Sequence, residues 1–384
     1  MKKTISILII IIFLTTKITK YQNKETKEVN KEFRGIFISY IEISNYLKDK
    51  DEQTSKRNIG IMINNIKEMN LNTIILQVRP SSDAIYYSKI FPVSKYLSST
   101  KSYPYDVLDY FIKKAHKNKI NIIAWINPYR ISTLSNVDDI NKEHPAFKYI
   151  GTDTIYINNG IYVNPSKDEV NNIILEGIEE IIKYKIDGIL FDDYFYPSDE
   201  IDLNDYENRI NKELNIEEYH LEVVNNMVRK VHKKCKENNI MFGISPEGNI
   251  ENNYHKNYAD VNKWLSSNEY VDFIMPQIYY GFENTNKPFL KTINEWNNLI
   301  KNKNIKLYIA LAFYKVGQVD TYALNGKEEW LNNNDIIMKE IIYSRNINNY
   351  NGFSLYRYDN LFNKDFYQNN SKEEINNLKS LLNS

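Results

Sequence analysis

The chain has 384 residues and carries 49 Lys and Arg against 49 Asp and Glu, a formal net charge of zero. That balance excludes a nucleic acid or other polyanion as the expected partner. Cys235 is the single cysteine, which rules out an intramolecular disulfide, and the five histidines show no HxxxH or HxH spacing, so neither a metal nor another cofactor is expected.

Lys2 and Lys3 precede an apolar run, residues 5–14, followed by a polar stretch to about residue 32. A basic start and an apolar run of that length predict a signal peptide over residues 1–16, either cleaved or kept as a membrane tether. Residues 17–32 are read as a flexible linker. The protein is therefore expected outside the cytoplasm, secreted or tethered at the cell envelope, and a monomer is the working expectation.

From residue 33 onward β-branched and aromatic runs alternate with helical patterns. Eight strand candidates stand at 34–40, 73–79, 121–129, 188–194, 241–248, 273–279, 307–314 and 352–358. Between them, Ile59, Met62, Ile63, Ile66 and Met69 make one helical apolar face, and Val107, Leu108, Phe111, Ile112 and Ala115 another. Val223, Val224, Met227, Val228 and Val231 make a third. Strand–helix alternation predicts a parallel sheet, and eight repeats in one domain (33–384) predict a (β/α)8 TIM barrel. An open doubly wound sheet is the other fold considered, but no Gly-rich phosphate loop follows the first strand. Helix-to-strand links are short (70–72, 117–119, 237–239), whereas strand-to-helix links are long (80–105, 130–167, 195–216, 315–332). Long loops gathered on the carboxyl face mark the working end of a barrel.

The string 187–197, DGILFDDYFYP, is the most telling. Apolar residues fill a buried strand, and then Asp192 and Asp193 stand side by side at its tip. Buried carboxylates are costly unless paired, hydrogen-bonded or facing a cleft. Other tips carry Gln77 and Arg79 followed by Asp83 and Tyr87; Trp125, Asn127, Tyr129 and Arg130; Glu247; Gln277, Tyr279 and Tyr280; and Tyr356. Arg34 and Arg79 could instead close the barrel by pairing with Asp192. Taken together, these tips describe a cleft with aromatic walls, amides and carboxylates. Aromatic faces suit the apolar faces of sugar rings, and paired carboxylates suit glycosidic cleavage.

The strings RGIF, ILQVRPSSDAIY, PYDVLDYFIKKAHK, IIAWINPYR, DGILFDDYFYP and FGISP, in that order, resemble the glycosyl-hydrolase-like 10 family over about residues 33–359. The resemblance implies a (β/α)8 barrel, export and glycoside hydrolase activity, with one branch acting on peptidoglycan glycan strands that lack stem peptides. It carries site roles to Arg34, Gln77, Arg79, Asp83, Asn127, Tyr129, Arg130, Asp192, Asp193, Tyr194 and Tyr196. Many members have an aromatic residue where this chain has Glu247, so the role of Glu247 is argued from its own position.

Side chains alternate along a strand, so Leu190, Asp192 and Tyr194 share one face and Asp193 the other. Asp192 is then the expected ionised nucleophile or stabiliser, Glu247 the expected general acid, and Asp193 the residue that orients Arg79 or a loop amide. A second route is open. The strings around 187–197 and 275–281 partly resemble a chitinase, in which the substrate acetamido group is the nucleophile, although Tyr194 stands where the chitinase acid would be. Two rivals from other classes are a non-catalytic glycan-binding barrel and a metal-dependent deacetylase, the latter disfavoured by the scattered histidines.

Overall fold

The computed structural model describes residues 32–383. The expected export segment and all but the last residue of the expected linker lie outside the described residues.

Eight parallel strands close on themselves. They are β1 (Phe33–Ile38), β2 (Thr73–Arg79), β3 (Asn121–Ile126), β4 (Gly188–Phe191), β5 (Met241–Ile244), β6 (Phe273–Ile274), β7 (Lys306–Leu311) and β8 (Tyr350–Leu355). Each pairs with its neighbour in the chain, and β8 returns to β1 with Phe33 opposite Gly352 and Ile36 opposite Leu355. The fold is thus the expected (β/α)8 barrel. The alternation of side chains separates two cores. Phe33, Phe37, Ile75, Ile123, Trp125, Leu190, Phe273, Met275 and Tyr308 fill the barrel interior. Ile74, Ile122, Ile189 and Phe191 point outward and pack under the helices. Leu190 inward, with Ile189 and Phe191 outward, fixes the register of β4 and sends the next inward position, Asp192, to the mouth.

The three apolar faces read from the sequence lie on helices Glu52–Glu68, Val107–Lys117 and Ile216–Glu237. Asp51, Asp106 and Asn215 cap their N-termini by accepting from backbone N–H groups three residues on, which satisfies donors the helix cannot. Past their C-termini, Asn70, Lys119 and Asn239 each adopt a left-handed conformation, with φ of 55°, 60° and 57°. That conformation reverses the chain in very few residues and explains the short return links.

The structure differs from the reading at the strand tips. Six of the eight predicted strands run three or more residues too far at the carboxyl end. Pro128, Pro246 and Pro276 follow β3, β5 and β6 and cannot donate to a ladder. Near Pro276 the pairing continues only as single bridges, Gln277 to Glu247 and to Ala310. Two of the elements not foreseen bear on the site. Helix Tyr40–Leu47 follows β1 directly, started by a Ser39–Glu42 capping box. The long loop after β3 folds into a small antiparallel sheet of Arg130–Ser132, Ile155–Ile157 and Ile161–Val163. Among the described residues no helix is long and apolar enough to cross a membrane.

Candidate active site

β4 ends at Phe191, and the backbone turns immediately afterwards. Strict alternation therefore stops one residue before the aspartates, and both Asp192 and Asp193 enter the same cleft. This corrects the expectation that Asp193 faces away. The cleft, about 200 Å³, is lined by the two aspartates with Phe37, Trp125, Tyr194, Ser245, Gln277, Tyr279, Tyr314 and Tyr356.

Asp192 is held from β3. Its Oδ2 accepts from Trp125 Nε1 at 2.9 Å and from the amide of Asn127. Asn127 is itself fixed: its Oδ1 accepts from Gln77 Nε2 at 2.8 Å and from Arg130 Nη2 at 2.9 Å. Gln77 in turn accepts from the backbone N–H of Tyr40 at 2.9 Å. The helix that follows β1 so determines, through two amides, which atom Asn127 presents to Asp192. Arg130 also lies 5.1 Å from the Tyr194 ring centroid, a cation–π distance. Asp193 is held from β6, where Gln277 Nε2 donates to its Oδ1 at 3.1 Å and to the Ser245 carbonyl at 3.0 Å.

Burial pushes the pKa of both aspartates above the ordinary carboxylate range. For Asp192 the charge of Asp193 adds to the rise, while Arg130 and the Trp125 hydrogen bond oppose it. For Asp193 the hydrogen bond from Gln277 opposes the rise, Glu247 adds to it, and Arg130 opposes it again. Two buried carboxyls that repel each other titrate as a unit, and near neutral pH the pair retains a proton. One member can then give a proton while the other carries charge.

Glu247 stands at the tip of β5 beside Gln277. It does not line the cleft, and its Oε1 accepts from Asn252 Nδ2 at 2.7 Å. It reaches the pair through its charge on Asp193 rather than by contact. Tyr280 packs near Glu247, also outside the lining.

Six other expected site residues lie elsewhere. Arg34, near the amino end of β1, donates to the Leu382 carbonyl at 2.8 Å, so it anchors the C-terminal helix. Arg79 is buried with its guanidinium 4.4 Å from the Phe91 ring centroid, outside the barrel wall; the ladder shifts between Gln77 and Arg79, which turns it away from the interior. Neither pairs with Asp192, and it is Gln277, not Arg79, that meets Asp193. Asp83 accepts from the backbone N–H groups of Ser81 and Lys95 at 3.2 Å each, holding its own loop. Tyr87 is exposed on a flank groove with Tyr184. Tyr129 is buried, and Tyr196 donates to Asp202 at 2.7 Å against the His220 ring. Phe37, Ser245 and Tyr314 were missed. Phe37 shares the inward parity of Phe33, and Ser245 the parity of Gly243, so counting by twos would have found both. Tyr314 lies on a 3-10 turn after β7, which periodicity does not reveal. Among the described residues no three His, Cys, Asp or Glu side chains are placed to hold a metal.

Comparison with known proteins bears on the family and the fold. The model of the family described as glycosyl hydrolase-like 10 matches residues 32–331. A protein named glycosyl hydrolase YngK, from Bacillus subtilis, is 31% identical over 319 residues, which is 75% of this chain and 62% of that protein. The chain thus spans about three fifths of that relative's length. Glycosyl hydrolase DigH of Escherichia coli is 26% identical over 332 residues, 78% of this chain and 74% of that protein. Among solved structures, the PgaB (BpsB) glycoside hydrolase domain from Bordetella bronchiseptica superposes with a TM-score of 0.57 at 13% identity, covering 90% of this chain and 98% of that one. At that identity the likeness speaks for the fold alone. The chain belongs to the glycosyl hydrolase-like 10 family.

Proposed function

We propose that the protein is a glycoside hydrolase whose working centre is the Asp192–Asp193 pair, and that its substrate is a cell-envelope glycan, peptidoglycan strands without stem peptides in the first place. The observation that carries this reading is the pair itself: two carboxyls buried at the carboxyl end of the barrel and faced by aromatic rings. A sugar ring placed against Tyr194 or Tyr356 would set its glycosidic bond over the pair. Asp192, receiving two donors on one oxygen, is suited to remain ionised and stabilise the oxocarbenium-like transition state. Burial and the Asp193 charge push the pKa of Asp192 up to about 7, against about 6 for Asp193. Trp125 and Asn127 nevertheless both donate to Asp192 Oδ2 and favour its ionised form, so Asp193, with a single side-chain donor, is suited to hold the shared proton and pass it to the leaving oxygen. Glu247 keeps the lesser part of raising the proton affinity of Asp193.

The test is incubation of the purified protein with amidase-treated, peptide-free peptidoglycan, with intact peptidoglycan and with chitooligosaccharides, followed by mass analysis of products. Cleavage of peptide-free strands by the wild type and none by Asp192→Asn is expected. Tight retention on these glycans with no product from any would replace hydrolysis by glycan binding.

A further inference from the structure

Arg79 ends β2 and is 2% exposed. Its guanidinium lies over Phe91 on one side and against helix Asp168–Ile182 on the other, where a Cβ on Gly177 would come within 1.8 Å of Nη1. Nε and Nη1 are buried without a hydrogen-bond acceptor. Among the described residues no carboxylate pairs with this guanidinium. The acidic groups around it are committed elsewhere. Asp83 spends its oxygens on Ser81 and Lys95 backbone N–H groups. Glu180 accepts from Ser88 Oγ at 2.5 Å and from Lys89 N at 2.7 Å.

Arg79 and His144 face one cavity of about 20 Å³, whose other walls include Phe91, Ala146, Val170 and Ile174. His144 Nδ1 accepts from Ala146 N at 3.0 Å, which leaves the ring proton on Nε2, an atom that is buried and makes no hydrogen bond of normal length, although the Ser82 backbone lies close to the ring. Burial holds the His144 pKa down to about 4, so at neutral pH the ring is an uncharged donor. One cavity is thus faced by a buried cation, a buried neutral donor and Ser82, with walls that are otherwise mostly apolar.

We propose that this cavity binds a single monovalent anion of halide size. The small volume favours a monatomic anion over sulfate, phosphate or a carboxylate. Charge selects an anion over water, because a neutral molecule accepts the hydrogen bonds but leaves the buried charge uncompensated. The weakly hydrated guanidinium and the apolar walls favour chloride or bromide over strongly hydrated fluoride. The site is separate from the carboxylate cleft and shares no lining residue with it.

The experiment uses the full chain at constant ionic strength, exchanging gluconate for chloride, bromide, fluoride or sulfate. Chloride and bromide should raise the melting temperature along a one-site saturation curve, and fluoride and sulfate should not. The ³⁵Cl resonance should broaden with wild-type protein and sharpen when bromide is added. Arg79→Met should abolish both effects; should that variant not fold, Ala146→Leu, which fills the space and leaves the charge, should abolish the broadening in a folded protein. A bromide-soaked crystal should give an anomalous peak between Arg79 and His144. Equal ³⁵Cl line widths for wild type and Ala146→Leu, or an ordered water with no anomalous signal at that position, would overturn the proposal.

Discussion

Asp192 receives both of its side-chain hydrogen bonds on Oδ2, from Trp125 and Asn127. Asp192→Asn keeps the shape but removes the charge, and it offers an N–H group to a site already furnished with donors. Turnover should fall by about 10³-fold with little change in KM, as for loss of one catalytic proton or charge partner, and steady-state kinetics on the cleaved glycan checks it. Glu247→Gln tests the subordinate role given to Glu247. The Glu247 charge raises the pKa of Asp193, so removing it should lower that pKa. The limb on which activity is lost as pH rises should then move to lower pH, with the maximal rate within about tenfold of wild type, less than the smallest loss usual for a general acid. A loss as large as that of Asp192→Asn would make Glu247 the acid. At this scale the sequence was legible where strand alternation still applied. Trp125, Asn127, Gln77 and Gln277 were reached because each sits at an inward position on or just past its strand. Arg79, Tyr129 and Tyr196 were misplaced because a ladder shift, or a turn past the strand end, resets which way a side chain points. No local pattern records that reset.

Between elements, the same substitution should act in opposite directions on two helices. Gly177 lies on helix Asp168–Ile182 under Arg79 and Phe91, and an added Cβ would meet Arg79 Nη1 at 1.8 Å and the Phe91 ring at 2.6 Å. Gly177→Ala should therefore destabilise by about 1–3 kcal/mol, the usual range for overpacking. Gly60 lies on helix Glu52–Glu68, where an added Cβ meets only a Lys114 side-chain carbon at 3.8 Å. Gly60→Ala should stabilise by about 0.5–1 kcal/mol, because alanine loses less backbone entropy in a helix. Urea unfolding of both variants gives the two signs. Periodicity located helix Glu52–Glu68 through its apolar stripe, whereas Asp168–Ile182 was implied only by the end of the 130–167 link. It could not tell a glycine that makes room for a guanidinium from one that faces open space, since the difference lies in a residue some hundred positions away. The small sheet built on Arg130–Ser132 escaped for a related reason: three-residue strands are too short to show a period.

Across the whole molecule, barrel closure follows from eight apolar runs joined by short returns, both of which are legible in the sequence. What the pattern hides is the set of acids buried while the chain closes. Glu340, on helix Ile336–Ser344, is fully buried with neither carboxyl oxygen hydrogen-bonded, and burial raises its pKa well above the usual value. Glu374, on the C-terminal helix, accepts from Met338 N at 3.0 Å, and burial pushes its pKa up to about 7. Both folded pKa values exceed the unfolded ones. The folded state binds more protons, so their contribution to stability is complete below the unfolded pKa and is lost as pH rises through the folded pKa. His144 acts in the opposite sense, since its pKa is lowered to about 4; it favours folding increasingly from there to its unfolded value of 6.5. Asp272, with a lowered pKa, matters only in acid. The contribution of Glu374 therefore declines between about pH 4.5 and about pH 7, and that of Glu340 declines from pH 4.5 upward. Subtracting the profile of a variant from that of wild type removes the opposing slope of His144, and Glu340→Gln, which keeps the volume and removes the ionisable proton, should gain stability relative to wild type as pH rises above 4.5. Urea unfolding of both proteins at pH 5, 6, 7 and 8 measures the difference. Parallel slopes for wild type and Glu340→Gln would assign the pH dependence to the Asp192–Asp193 pair instead, and Asp192→Asn would then be the variant with the flattened profile.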